Sequence, residues 1–232
     1  DPTRPSEMLH LGLTADGGRV IALDGRVYLA AGRRGLRAFT LSDQAPPDEE
    51  AVYDPMDTLT RLIPLPGEPE RVYGAGEEGW AITDIHNPAL PQPLYRVQTD
   101  VPVHGLARDG DRLYAVSTIR GLLTYHAPLA DAKVHEPGLL GQWPVGAFLR
   151  DVLVREGYLY LVDRQVGLLV VDPDPPEHPT LLQTLPLPAG VEQIVPLEGD
   201  LAYLRTGGQL PGLRLLDLGH PTVGVPPLGQ LS

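Results

Sequence analysis

The residues best suited to acid–base or metal chemistry are the seven histidines: His10, His86, His104, His126, His135, His178 and His220. None of them forms an HxH or HxxxH pair, the short spacings that put two imidazoles on one metal. His86, His178 and His220 stand beside or near prolines in similar contexts, which fits loop residues at equivalent points of a repeat. Paired carboxylates occur at Asp172-Pro173-Asp174 and Asp109-Gly110-Asp111. A calcium loop needs about 6–8 oxygen ligands, and neither stretch continues into one. Only four serines are present (Ser6, Ser42, Ser117 and Ser232), none inside a GxSxG elbow. Cysteine is absent, which excludes disulfides, thiolate metal sites and a cysteine nucleophile. The sequence therefore predicts no catalytic residue, no metal and no cofactor.

One phosphate-binding pattern is present in letters. Gly74-Ala75-Gly76-Glu77-Glu78-Gly79 matches GxGxxG. A dinucleotide site needs that motif between a strand and a helix, whose N-terminus holds the pyrophosphate. Here the strand-like WAIT follows, and Glu77 and Glu78 would repel phosphate, so a hairpin turn is expected. Trp80 and Trp143 are read as packing residues rather than ligand platforms.

The elements that must position any site are short. Among 232 residues, glycine and proline number 26 each, which favours many brief strands over long helices. Hydrophobic residues make up 42% of the chain, enough for a core. The net charge of −12 disfavours nucleic acid and anionic membrane surfaces as partners. No apolar run approaches the roughly 20 residues of a membrane-spanning helix. The chain starts at Asp1 with no leader-like segment, as expected of a processed chain or of a piece of a longer one.

A repeat emerges from the tyrosines. Tyr28, Tyr73, Tyr114, Tyr160 and Tyr203 are spaced by 45, 41, 46 and 43 residues in similar apolar contexts. Each is followed by a glycine (Gly35, Gly79, Gly121, Gly167, Gly212), and five residues later by Thr40, Asp84, His126, Asp172 or Asp217. Each unit reads as four strands. The first strands are expected at Val20–Leu23, Leu62–Leu65, Val103–Ala107, Asp151–Val154 and Gln193–Leu197. The fourth are expected at Ala51–Tyr53, Leu94–Gln98, Leu139–Trp143, Leu181–Leu185 and Val225–Leu228. Runs such as Tyr158–Val162 and Leu168–Val171 do not alternate apolar with polar, so both faces of those strands must be buried. Radially stacked four-stranded sheets with repeats of about 40–45 residues meet that requirement. The expected fold is all-β, a single five-bladed β-propeller, with blades near 14–57, 58–100, 101–146, 147–189 and 190–232. Residues 7–13 form a sixth outer-strand candidate, favoured to close the ring by completing the last blade.

The segments GLLVVD (Gly167–Asp172), GLRLLD (Gly212–Asp217) and GWAITD (Gly79–Asp84), with Pro-containing links at Asn87-Pro88, His178-Pro179 and His220-Pro221, resemble the bacterial LVIVD repeat. Thr40 and His126 depart from the pattern in units one and three. The resemblance implies a propeller, usually in an exported or surface protein, and implies no reaction. The three repeated aspartates are expected to accept backbone N–H groups in the turns that follow them.

Antiparallel blade topology sorts the loops to two ends. One end collects Arg33, Arg34, Glu77, Glu78, Arg120, Arg164, Gln165 and Arg205. The other collects Asp24, Asp43, Asp48, Glu49, Glu50, Asp109, Asp111, Asp174, Glu177, Glu198 and Asp200. One strongly acidic face and one arginine-bearing face are expected. The innermost strands bring His104, Arg150, Asp151, Glu192 and Gln193 towards the axis. The favoured function is non-catalytic: a rigid disc for contact with a protein partner, in a surface or extracytoplasmic assembly, without membrane insertion. The second reading is a small-ligand or carbohydrate binder at the channel mouth. The third is a hydrolase or lyase using His104, Arg150, Asp151 and Glu192.

Overall fold

The computed structural model describes residues 20–23, 25–40, 48–53, 58–63, 68–127, 137–145, 148–187, 190–207, 212–219 and 227–231. Among them the strands form five separate antiparallel sheets of four, in a ring, and there is no helix. The fold is a five-bladed β-propeller. Blade one is β1 (Val20–Leu23), β2 (Arg26–Ala30), β3 (Leu36–Thr40) and β4 (Asp48–Tyr53). Blade two is β5 (Leu59–Ile63), β6 (Arg71–Gly76), β7 (Gly79–Asp84) and β8 (Gln92–Gln98). Blade three is β9 (Gly105–Asp109), β10 (Arg112–Ser117), β11 (Gly121–His126) and β12 (Gly138–Trp143). Blade four is β13 (Leu149–Arg155), β14 (Tyr158–Asp163), β15 (Gly167–Asp172) and β16 (Thr180–Pro186). Blade five is β17 (Val191–Pro196), β18 (Leu201–Thr206), β19 (Gly212–Asp217) and β20 (Pro227–Leu231).

The middle strands are apolar because they are buried on both faces. In β14 and β15, ten of the twelve residues are buried, and only the first of one and the last of the other are partly open. The repeated tyrosine is the residue that joins one blade to the next. Tyr28 packs with Leu59, Leu62 and Val72 of blade two. Tyr73 packs with Leu106 and Leu113 of blade three, Tyr114 with Leu159 and Leu161 of blade four, and Tyr160 with Leu204 and Leu216 of blade five. The Tyr160 hydroxyl also donates to the Leu218 carbonyl at 3.0 Å, so one side chain serves apolar burial and a buried polar partner together. Tyr203, in the last blade of the series, is half-buried.

The glycine that opens the third strand is a steric requirement. Gly167 has φ of 118°, and a Cβ there would collide with the Leu185 carbonyl oxygen of the outer strand. The aspartate that ends the same strand caps the next turn. Asp84 accepts from the His86 amide at 2.7 Å, Asp172 from Asp174 at 3.0 Å, and Asp217 from Gly219 at 2.9 Å. GAGEEG is the β6–β7 hairpin, with Glu77 and Glu78 at its tip. Trp80 is fully buried and meets Tyr125 edge-on, ring centroids 5.2 Å apart.

Three expectations shift. The first strand of blade two is Leu59–Ile63, not Leu62–Leu65, because its register is set by pairing Leu59 with Gly76 beside the hairpin. Pro64, which follows, has no N–H to extend that ladder. The first strand of blade three begins at Gly105 rather than Val103. The outer place in blade five is taken by the C-terminal β20, which pairs with β19, and not by the N-terminal run. Residues 7–13 lie outside the described residues.

Candidate functional site

The first strand of each blade lines the axis, and three of them carry the same irregularity. Pairing slips by one residue between Leu59 and Arg61, between Leu149 and Asp151, and between Val191 and Gln193. Thr60, Arg150 and Glu192 are the extra residues of these β-bulges. In blade three the amide of His104 donates to the Val116 carbonyl, while Gly105 is the strand partner of Val116. His104 therefore takes the corresponding place. A bulge re-aims its side chain out of the strand's regular alternation. The sequence candidates His104, Arg150 and Glu192 thus share one structural position in three successive blades, at the end where the inner strands begin.

The structure adds Arg61 to this group. From blade two, its Nη1 donates to the Arg150 carbonyl of blade four at 3.0 Å. The same nitrogen lies 3.9 Å from Asp151 Oδ1. Asp151 is 6% exposed, and its carboxylate is used structurally. Oδ1 accepts from its neighbour Val152 N at 3.1 Å, and Oδ2 accepts from Ile194 N of blade five at 3.2 Å. Gly105 makes room for this arrangement, since a Cβ there would lie 2.9 Å from both Cα and Oδ1 of Asp151. Glu192 pairs with Arg205 of its own blade at 3.0 Å. Burial, then the nearby Arg150 and Arg61 charges, push the His104 imidazole down to about 4, so it is neutral at physiological pH. Among the described residues, Arg150 has no carboxylate partner and its guanidinium makes no hydrogen bond.

Around this axial mouth stand the β2–β3, β6–β7, β10–β11, β14–β15 and β18–β19 turns, which bring Arg33, Arg34, Glu77, Glu78, Arg120, Arg164, Gln165 and Arg205 to one end. The turn of blade four is rigid at its backbone. Asp163, fully buried, accepts from Gln165 N at 2.8 Å, Val166 N at 3.0 Å and Phe148 N at 3.2 Å. The side chains of Arg164 and Gln165 project into solvent. Arg120 reaches Asp100 at 2.6 Å and holds that carboxyl below its ordinary range. Among the described residues, no carboxylate pairs with Arg33, Arg34 or Arg164.

The opposite end uses its arginines differently. Arg112 of blade three pairs with Asp174 of blade four, and Arg155 of blade four with Asp200 of blade five at 3.0 Å. Arg108 of blade three reaches Glu68 of blade two at 3.3 Å. These arginines clip adjacent blades and leave Asp109, Asp111, Glu177 and Glu198 exposed. Asp24 and Asp43 lie outside the described residues, as do the side chains of Asp48, Glu49 and Glu50. From this acidic end an axial funnel of about 820 Å³ opens inward, with Leu23, Ile63, Leu106, Val152 and Ile194 from all five inner strands on its wall and Asp151 among its lining. No group of three or more His, Asp or Glu side chains among the described residues is arranged to hold a metal ion. Nor is any helix there long and apolar enough to cross a membrane.

The family model described as the LVIVD repeat matches residues 149–185, which is blade four from its first strand into its last. Among curated proteins none matches the sequence. Solved structures match the fold. The computationally designed Ika8 protein superposes with a TM-score of 0.67 at 9% identity, over 95% of this chain and 63% of that one. A Bacteroides fragilis protein named for 6-phosphogluconolactonase gives 0.67 at 12% identity, over 91% and 69%. The WD40 β-propeller domain of Doa1 gives 0.66 at 14%, over 95% and 70%. The chain therefore spans less than two thirds of the length of the first of these. At such identities the likeness is one of fold alone. With the repeat matched in blade four and five four-stranded blades in a ring, the chain is a β-propeller whose fourth blade carries an LVIVD repeat.

Proposed function

We propose that this propeller is a non-catalytic recognition module that binds a protein partner through its arginine-bearing end, in an assembly outside the cytoplasm. One observation carries the reading. In a chain with a net charge of −12, Arg108, Arg112 and Arg155 at the acidic end are spent on inter-blade ion pairs, whereas Arg33, Arg34, Arg150 and Arg164 at the other end have no carboxylate partner among the described residues. Unpaired arginines on a rigid, half-exposed surface are suited to interfaces, since the planar guanidinium loses little freedom per hydrogen bond formed. The partner surface this fits is acidic. The turns are held by internal caps such as that of Asp163, so little ordering cost falls on binding. The extracytoplasmic setting rests on the LVIVD repeat and is tested by fractionating cells that express the natural gene.

A small-ligand reading is favoured by the polar cluster at the axis. A hydrolase or lyase reading is weakened by Asp151, whose two carboxylate oxygens are both engaged by backbone amides. The test is quantitative affinity capture with wild type, with Arg33→Glu/Arg34→Glu/Arg164→Glu, and with Asp111→Lys/Glu198→Lys. The reading requires a stoichiometric partner lost with the first variant and kept with the second. Equal capture by both, or loss only with the second, defeats it.

A further inference from the structure

We propose that the axial mouth at the arginine-bearing end is a site for a single carboxylate group, received by Arg150 with His104 as a second hydrogen-bonding wall. The inference deepens the recognition reading by giving that end a ligand chemistry, and it is measured without any protein partner.

Four features of the site lead there. Arg150 occupies a β-bulge, so its side chain is released from the regular alternation of β13. Its backbone is braced across the axis by Arg61, whose Nη1 bonds the Arg150 carbonyl at 3.0 Å. The acids nearest in sequence and fold are already committed: Asp151 to the amides of Val152 and Ile194, and Glu192 to Arg205. Arg150 itself, half-buried, has neither carboxylate partner nor side-chain hydrogen bond among the described residues. A partly desolvated guanidinium without a counter-charge gains more from an anion than an exposed one does.

The charge and shape select a carboxylate over a phosphate. One uncommitted guanidinium matches a planar monoanion, bidentate across its two oxygens. His104 is held neutral by burial and by the arginines beside it, so it brings no second charge. Its Nε2 lies 3.4 Å from Thr118 Oγ1, and with that hydroxyl donating, Nδ1 carries the N–H left for a ligand. Arg61 and Arg205 are already matched by Asp151 and Glu192, so a dianion would exceed the single uncommitted charge of Arg150. The carboxylate can be that of a small acid or that of a peptide terminus.

The experiment is an NMR titration of the full chain with sodium acetate, sodium phosphate, and an acetylated tripeptide with either a free or an amidated C-terminus. The His104 ring protons and the Arg150 Nε–H are followed at pH 7.5. Expected are saturable acetate shifts at both groups, about tenfold weaker binding or worse in Arg150→Gln, and no change in Arg112→Gln at the opposite end. In bound acetate, the His104 titration midpoint moves upward. Tighter binding of the free-acid peptide than of acetate, lost on amidation, supports the site and identifies a chain terminus as the source; acetate alone supports a small acid. No saturable shift in wild type overturns the proposal, as does undiminished binding in Arg150→Gln or tighter binding of phosphate than of acetate. Acetate binding with no protein partner found would leave this site standing and sink the partner reading; the reverse result would do the opposite.

Discussion

The guanidinium of Arg61, in blade two, donates to the main-chain carbonyl of Arg150, in blade four, at 3.0 Å. One side chain therefore spans the axis and ties together two blades that are not neighbours. Replacing Arg61 with Ala removes a charged donor from a half-buried carbonyl. The expected loss is about 1.5–3 kcal/mol, the range of hydrogen bonds to charged groups. Urea unfolding of wild type and variant measures it, and a change below a few tenths would mean the brace is ornamental.

At Gly105, β9 packs tightly against Asp151 of β13. An alanine Cβ would sit 2.9 Å from Asp151 Cα and Oδ1, and 3.1 Å from Val116 Cγ2. Because one neighbour is backbone, relief requires a shift of the strand. Gly105→Ala is expected to cost about 1–3 kcal/mol, as overpacking does. Its amide shifts should spread from β9 into β13 and to Ile194, whose N–H the same carboxylate accepts.

The inter-blade contacts rank in a definite order. Tyr160→Phe leaves the buried Leu218 carbonyl without its donor and is expected to cost about 1–2 kcal/mol. Arg112→Ala removes the surface pair with Asp174 and is expected to cost no more than about 1 kcal/mol. Thermal unfolding should therefore place Tyr160→Phe below Arg112→Ala; the opposite order would assign the blade junction to its ion pairs.

His104 gives a pH dependence with a definite sign. Its pKa is about 4 in the fold against 6.5 for the ordinary imidazole, through burial and the adjacent Arg150 and Arg61. Above about 6.5 both states are neutral and the group contributes nothing. Between about 6.5 and about 4 the unfolded chain takes up the proton and the folded one does not, so stability falls as pH is lowered through that window. The difference in stability between wild type and His104→Gln should shift against wild type from pH 7 to pH 4. A flat difference would place His104 in open solvent.

Much of this was legible in the sequence. The strand runs read directly because both faces of β14 and β15 are buried, which suppresses alternation. The aspartate caps read directly because donor and acceptor are two residues apart, as at Asp172 and Asp174. The sorting of loops to two ends followed from antiparallel topology. Arg61 was not legible, because the apolar letters around Pro64 and Pro66 drew the strand three residues late, although Leu59-Thr60-Arg61-Leu62 set beside Leu149-Arg150-Asp151-Val152 would have shown the equivalence. Bulges were not legible either, since a one-residue slip exists only relative to a partner strand. The clips from Arg112 to Asp174 and from Arg155 to Asp200 join residues too far apart in sequence to be seen without the ring.

The central claim is that recognition belongs to the arginine-bearing end. Amide hydrogen exchange of the chain alone and with its captured partner tests it most directly. The account predicts protection at the turns 31–35, 118–120 and 164–166, with 109–111, 156–157 and 197–200 unchanged. Protection confined to the second set would contradict it.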